Sequence, residues 1–367
     1  MVVERLQLEN FRNISYADVQ LDPHINVFLG KNAQGKTNFI EAIWLFSALK
    51  SFRAVKETDF IRFGEEKASA ILSFKAFERS QTAKMEFFKE KKKELTLNGA
   101  PLEKMSQMVG NFCAVLFSPV HLQLITEGPA GRRRFLDLAL CQLSSRYLTL
   151  LTEYNRILRQ RNAALKLYGG NLQKLKGLLE VWDLRLAQCG AKVMEIRSRY
   201  IKDLQQQACE IHRQLSSQKE ELTLRYVSVC ENVGEEEDIA SVLEKRLKQK
   251  LEEQVRFGIT PAGPHRDELD VRLNGRAAKL YASQGQQRSA VLSLKLAEGD
   301  LAGRKIGESP VYLLDDVMSE LDETRRSFIL EKLCGRQVLI TCCDDRAVDS
   351  ARVCSFGVEN GIFSKNL

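Results

Sequence analysis

Eight consecutive residues, Gly30-Lys31-Asn32-Ala33-Gln34-Gly35-Lys36-Thr37, fit the pattern G-x-x-x-x-G-K-[ST] at every defined position. That pattern suits the capture of a polyphosphate. Glycines let backbone N–H groups turn inward around phosphate oxygens, and a helix starting at the end of the loop adds a positive partial charge. Lys36 is placed to reach the β- and γ-phosphates of a nucleotide, and Thr37 to offer its hydroxyl to Mg²⁺. With Asn38, these residues form the expected nucleotide-binding stretch. A metal held this way needs a second anchor, and the apolar run 311–314 ends in Asp315-Asp316. Asp315 is expected to hold Mg²⁺ directly or through water, and Asp316 to polarise an attacking water. Alone, such a run is as readily a strand ending in a polar turn. Beside a phosphate loop it reads as a catalytic acid pair.

Ser283-Gln284-Gly285-Gln286 precedes an amphipathic stretch at 289–298. Ser283 is a good N-cap type, and Gln286 three residues on completes a capping box. A well-capped helix explains that much. The sharper reading has the same cap facing a γ-phosphate held by another subunit, with 319–322 lining the dimer interface. Asp315 lies 279 positions beyond Lys36, so a long insertion separates the two halves of one nucleotide site. That spacing disfavours a small-molecule kinase.

The elements that must position these residues are legible in outline. The apolar run Ile25–Leu29 is expected to enter the phosphate loop as a strand, and a helix over 38–49 to leave it, with Phe39, Ile43 and Phe46 on one face. Leu6 and Leu8 alternate with polar residues, and 68–77, 85–88 and 95–97 are further strand candidates. Asn98-Gly99, Asn274-Gly275 and Asn360-Gly361 are the pairs a two-residue hairpin turn wants, since both positions need positive φ. From 131 to 250 there is no proline, and leucines recur at helical spacing, with Gly169-Gly170 as a break and a possible strand at 222–229. The simplest architecture is an α/β domain built from both ends of the chain, with a mostly helical insertion between them.

Composition sets the limits. The 367 residues are 44% hydrophobic and 28% charged, an ordinary globular balance that excludes a disordered, collagen-like or disulfide-scaffold chain. No export signal is read in residues 1–11, and no run of about 18 apolar residues predicts a membrane span. Nine cysteines fall at irregular spacings without a C-x-x-C pair, so reduced thiols in a cytoplasmic protein are expected, and no zinc. The net charge of +7 is unevenly spread. Residues 131–202 hold 15 basic and 5 acidic side chains, a local net of +10, which leaves −3 for the remainder. Arg132, Arg133, Arg134, Arg156, Arg159 and Arg161 form the densest cluster. It reads either as a solvated helical face or as a sequence-independent contact with DNA phosphates.

The opening Leu8-Glu9-Asn10-Phe11-Arg12-Asn13, the phosphate loop, Ser283-Gln284-Gly285-Gln286, Asp315-Asp316 and Ser319-Glu320-Leu321-Asp322 together resemble the ATP-binding-cassette head ATPases. Within them they resemble the RecF family of recombinational repair proteins. Gly128-Pro129 with Arg132-Arg133-Arg134-Phe135-Leu136-Asp137, and Thr260 with Gly263-Pro264-His265-Arg266-Asp267, resemble two further and more specific family segments. The resemblance implies a P-loop head with a mixed sheet and an antiparallel β subdomain, carrying an inserted helical arm. The expected divisions are 1–125 and 256–367 for the head and 126–255 for the arm.

It also implies ATP and Mg²⁺ as cofactors, and an ATP-dependent homodimer in which Lys36 and Thr37 of one chain and Ser283 and Gly285 of the other contact each ATP. Slow hydrolysis would reset a DNA-bound dimer. The expected role is DNA repair, replication and the SOS response, loading recombinase at gapped DNA with other recombination-mediator repair proteins. The sequence departs from transport-type cassettes at the strand after the acid pair. There 338–341 leads to Cys342-Cys343-Asp344 with no histidine. Asp316 is one methylene shorter than a catalytic glutamate, which suits a slow switch. The missing histidine and the basic arm argue against the alternative, a transporter-type ATPase subunit. His121 and the Cys342-Cys343 pair receive no role.

Overall fold

The computed structural model describes residues 1–53, 56–169, 172–230, 238–249, 251–343 and 353–366. The chain divides into two compact units. One comprises Met1–Gln123, Glu210–Glu220 and Ser283–Leu367, and the other Leu124–Cys209 and Glu221–Ala282. The expected head half 256–367 is thus corrected. Residues up to Ala282 group with the arm, because the strand Glu268–Leu273 pairs antiparallel with Leu222–Val227.

The first unit holds two six-stranded sheets. In one, Ile25–Leu29 lies between Val338–Cys342 and Val353–Glu359, parallel to both. Val338–Cys342 pairs in turn with Val311–Asp315, and that strand with Ala114–Phe117, again in parallel. Ala114–Phe117, Val311–Asp315 and Val338–Cys342 are buried at every residue, the signature of strands covered on both faces. The helix Lys36–Ala48 packs here, with Phe39 against Phe28 and Phe363. The other sheet is antiparallel, in the order Ile14–Gln20, Val2–Phe11, Lys67–Ala76, Arg79–Phe88, Glu94–Leu97, Ala100–Pro101. Its strands alternate buried and open positions along Lys67–Ala76, as one packed face and one wet face require.

All three Asn-Gly pairs make the expected two-residue turns, with φ of 52° and 79°, 49° and 76°, and 49° and 79° in chain order. Lys91 and Lys93 lie in the turn between Arg79–Phe88 and Glu94–Leu97. Lys93 donates to the Leu49 carbonyl at 3.0 Å and pairs with Glu57, while the exposed Lys91 pairs with Glu94.

The second unit is helical around a three-stranded antiparallel sheet. Pro129–Leu143, Ser145–Tyr168 and, as far as Cys209, the 44-residue helix Leu172–Leu215 supply most of it. The expected break at Gly169-Gly170 is partly visible: Gly169 follows the helix ending at Tyr168, and Gly170 lies outside the described residues. Tyr154, Ile157, Leu186, Met194, Leu243 and Leu247 form an apolar core there. The weakly marked strand at 222–229 exists as Leu222–Val227.

Candidate nucleotide-binding site

The strand Ile25–Leu29 delivers the phosphate loop at the carboxyl edge of a parallel sheet, where open α/β sheets hold ligands. A Cβ on Gly30 would lie 2.2 Å from the Val358 carbonyl oxygen, so the first glycine is required for packing. Gly35 opens the helix Lys36–Ala48 at φ 113° and offers it no side-chain cap. The first-turn amides are therefore left for an external acceptor. Lys36 is buried and folds back over the loop, its Nζ donating to the carbonyls of Gly30 and Lys31 at 2.5 and 3.0 Å. Lys31, Asn32 and Ala33 are exposed.

The metal-binding pair predicted across 278 positions is in contact. Thr37 Oγ1 donates to Asp315 Oδ1 at 2.9 Å. Thr341, at the end of the neighbouring strand, donates to the same oxygen at 2.8 Å. Burial pushes the Asp315 carboxyl above its ordinary range, and the two hydroxyls pull it partly back. A hydroxyl beside a desolvated carboxylate fits Mg²⁺, which keeps several waters and phosphate oxygens and needs few protein ligands. No cluster of three or more metal-binding side chains exists among the described residues. Asp316 follows with φ 51°, its backbone N–H held by Thr341 Oγ1 at 3.0 Å.

Several supporting residues were invisible as site residues in the sequence. Asn13 donates to the Ala33 carbonyl at 3.2 Å and accepts from Asn38 at 2.7 Å. Glu41, fully buried on the helix behind the loop, is held by Arg12 at 2.7 Å and by Ser51. Arg53 donates to Asn38 Oδ1 at 2.9 Å. The Asn360-Gly361 turn latches the loop from outside: Gly361 N–H donates to the Gln34 carbonyl at 2.9 Å and Asn360 N–H to its side chain at 2.6 Å. Only the opening Asn10-Phe11-Arg12-Asn13 carried a signal for any of these. Where a histidine is missing, Cys343 reaches the loop, its Sγ 3.0 Å from Asn32 Oδ1 and 3.6 Å from Lys36 Nζ. Asp344 lies outside the described residues. His121 has a local task, its Nδ1 lying 2.9 Å from Ser118 Oγ at the start of a short helix.

Ser283 caps the helix Gln284–Ile306, and Gln286 closes the capping box, donating also to Glu220 at 2.8 Å. Ser283 and Gln284 are exposed. Among the described residues neither Ser283 nor Gly285 is hydrogen-bonded to the phosphate loop of its own chain.

The arginine cluster separates into two groups. Arg132 is buried and forms a two-pronged pair with Glu268, both contacts at 2.7 Å. Arg161 is 0% exposed, bound to Asp183 at 2.6 Å and Thr260 at 3.0 Å. These two cannot be the phosphate contacts expected of them, since their donors are spent inside the fold. Arg133 is half-buried and donates to the Asp267 carbonyl at 2.9 Å, while Arg134, Arg156 and Arg159 are exposed.

The segment from Thr260 to Asp267 explains the burial. Gly263 sits at φ 126°, and a Cβ there would meet the Tyr154 hydroxyl at 2.4 Å. That hydroxyl lies 2.5 Å from His265 Nδ1, and His265 Nε2 donates to the Thr260 carbonyl at 3.0 Å. Arg197 joins the Pro264 carbonyl at 2.6 Å to Asp137 at 2.7 Å. Residues of the two most specific sequence motifs, among them Arg132, Gly263 and Asp267, thus help to build a buried polar core, while Arg134 and Arg266 stay exposed.

Against known proteins, the model of the RecF/RecN/SMC N-terminal domain matches residues 2–361. The DNA replication and repair protein RecF of Alkaliphilus oremlandii is 41% identical over 348 residues, 93% of each chain. That of Halothermothrix orenii is 40% identical over 374 residues, covering 100% of this chain and 99% of its own. A solved structure of the recombination mediator protein RecF-ATPrS in the RecFOR pathway superposes with a TM-score of 0.93 at 34% identity, over 100% of this chain and 98% of that one. The Smc head of Pyrococcus furiosus, at 15% identity and a TM-score of 0.54 over 100% and 96%, shares the fold. The fold is thus the ATP-binding-cassette head shared by RecF and SMC proteins. Within that class, the chain belongs to the RecF family of DNA replication and repair proteins.

Proposed function

We propose that the chain binds ATP with Mg²⁺, dimerises through the bound nucleotide, and holds DNA in that state as a slow ATP-hydrolysing switch in recombinational repair. The observation that carries the reading is the junction of Thr37 with Asp315 at the mouth of the phosphate loop. Lys36 would leave its two carbonyl partners for phosphate oxygens, and Thr37 and Asp315 would hold the metal. Bound Mg²⁺ supplies charge neutralisation on the phosphates. Asp316 is the residue proposed to orient water. The exposed Ser283 cap, unjoined to its own phosphate loop, supports completion of the site by a second copy. Arg134, Arg156 and Arg159 are the proposed phosphate contacts on the arm. A cytoplasmic setting and partner repair proteins fit the RecFOR pathway named for the solved relative.

The test is light scattering and DNA binding with and without ATP–Mg²⁺, on single-stranded, duplex and gapped DNA. A dimer that appears with ATP and binds DNA more tightly is expected. A chain that stays monomeric at micromolar concentration with ATP overturns the arrangement in which two copies sandwich the nucleotide.

A further inference from the structure

The helix Glu323–Lys332 follows the loop 319–322 and carries Arg325 at its start. The guanidinium of Arg325 is engaged on all three nitrogens. Nη2 donates to the Gly285 carbonyl at 2.9 Å, Nε to Ser289 Oγ at 2.9 Å, and Nη1 to the Asp322 carboxylate. Ser289 Oγ in turn donates its O–H to the Gly285 carbonyl at 3.1 Å. Asp322 also accepts from the Arg325 backbone N–H at 2.9 Å, which caps the helix. A Cβ on Gly285 would lie 3.2 Å from Nη2, a tight contact that would press on the guanidinium. Arg288 makes a second, more exposed link between the same two segments, to Glu320 at 3.0 Å.

Gly285 and Asp322 are 37 positions apart in sequence, and each lies at the start of its own helix. A planar fork with donors in fixed directions can serve both and a hydroxyl at once. An ammonium, a point charge on a flexible stem, cannot hold the three in one geometry. The three acceptors belong to two segments that the sandwich reading turns toward the nucleotide of a second copy. Two such segments moving separately would have to be ordered twice on association, each at an entropic cost.

We propose that Arg325 is a positioning residue that locks the signature segment Ser283-Gln284-Gly285-Gln286 to the loop 319–322. Both are then presented to the partner's nucleotide as one unit. The inference rests on the dimer reading above for its purpose, but the lock itself belongs to the single chain.

Hydrogen exchange on the nucleotide-free protein reads the lock. In Arg325→Ala, amide exchange over 285–289 and 322–326 is expected to rise about tenfold, with the phosphate-loop amides unchanged, as local opening without global unfolding requires. ATP affinity, measured by calorimetry on the monomer, is expected to stay within about twofold. ATP-dependent dimerisation is expected to weaken roughly tenfold or more. Arg325→Lys should recover part of both effects, and Arg325→Gln serves if the alanine variant does not fold. Unchanged exchange at 285–289 overturns the lock. Raised exchange with unchanged dimerisation overturns its positioning role. If the unaltered protein fails to dimerise with ATP, the sandwich falls, while the exchange experiment still decides the lock.

Discussion

At the scale of single residues, the basic cluster shows how one side-chain type serves two ends. Arg156, Arg159 and Arg161 lie within six positions, yet Arg161 is fully buried on Asp183 while the other two face water. No sequence pattern separates them, because Asp183 lies on the next helix and the choice is made by packing. Arg161→Ala is expected to cost about 3–5 kcal/mol in a urea titration, since it leaves the buried Asp183 carboxylate unpaired. Arg156→Glu with Arg159→Glu is expected to shift stability by no more than about 0.5 kcal/mol per site while lowering DNA affinity. Equal DNA affinity in that pair would remove these residues from the proposed contact. Lys36→Ala is expected to weaken ATP binding roughly 10- to 100-fold by calorimetry, the worth of a charged hydrogen-bonding group. The phosphate loop was legible because backbone geometry and one lysine dictate its spelling. Its brace Glu41 was not, because a buried ion pair has no local pattern, and Arg12 and Asn13 were marked only by the opening segment that resembles the family's start.

At the scale of elements, the turn at Asn360-Gly361 was legible as a hairpin but not as a support for the phosphate loop. Its partner, Gln34, is 326 positions away. Gly361→Ala places a side chain at φ 79° with its Cβ 3.0 Å from the Asn13 carbonyl. A loss of about 1–3 kcal/mol and weaker ATP binding are expected, measured by thermal melting and calorimetry. The segment from Thr260 to Asp267 makes a second prediction. Burial holds His265 down at about 4, against an ordinary 6.5, with Arg266, Arg133 and Arg161 acting in the same direction. Its contribution is full above pH 6.5 and is lost as pH falls toward 4, because the unfolded chain takes the proton first. Burial raises Asp267 from 3.8 to about 6, opposed by the Tyr226 hydroxyl and by Arg197 and Arg133. Its contribution runs the other way: stability falls as pH rises from 3.8 to 6. The two oppose each other between pH 4 and 6. Asp267→Asn is therefore expected to show urea midpoints rising with pH over that window, and His265→Gln midpoints falling with it. Parallel profiles in the two variants would refute the assignment.

At the scale of the whole molecule, DNA affinity should depend on salt, with a log–log slope of about −0.9 for each duplex phosphate neutralised. Reversing Arg134, Arg156 and Arg159 should flatten that slope by up to about three such contacts. The split organisation was read from the distance between Lys36 and Asp315. The arm's boundary was misplaced, because only strand pairing shows that Glu268–Leu273 belongs with Leu222–Val227. The same split has a consequence for synthesis. The antiparallel sheet between Val2 and Pro101 can pair as its strands emerge, each beside a near neighbour in sequence. The strand that delivers the phosphate loop cannot, since Ile25–Leu29 is flanked only by strands beyond residue 337. A ribosome must therefore translate the entire arm before the nucleotide pocket closes. Until then an apolar strand with both edges open is exposed to non-native pairing.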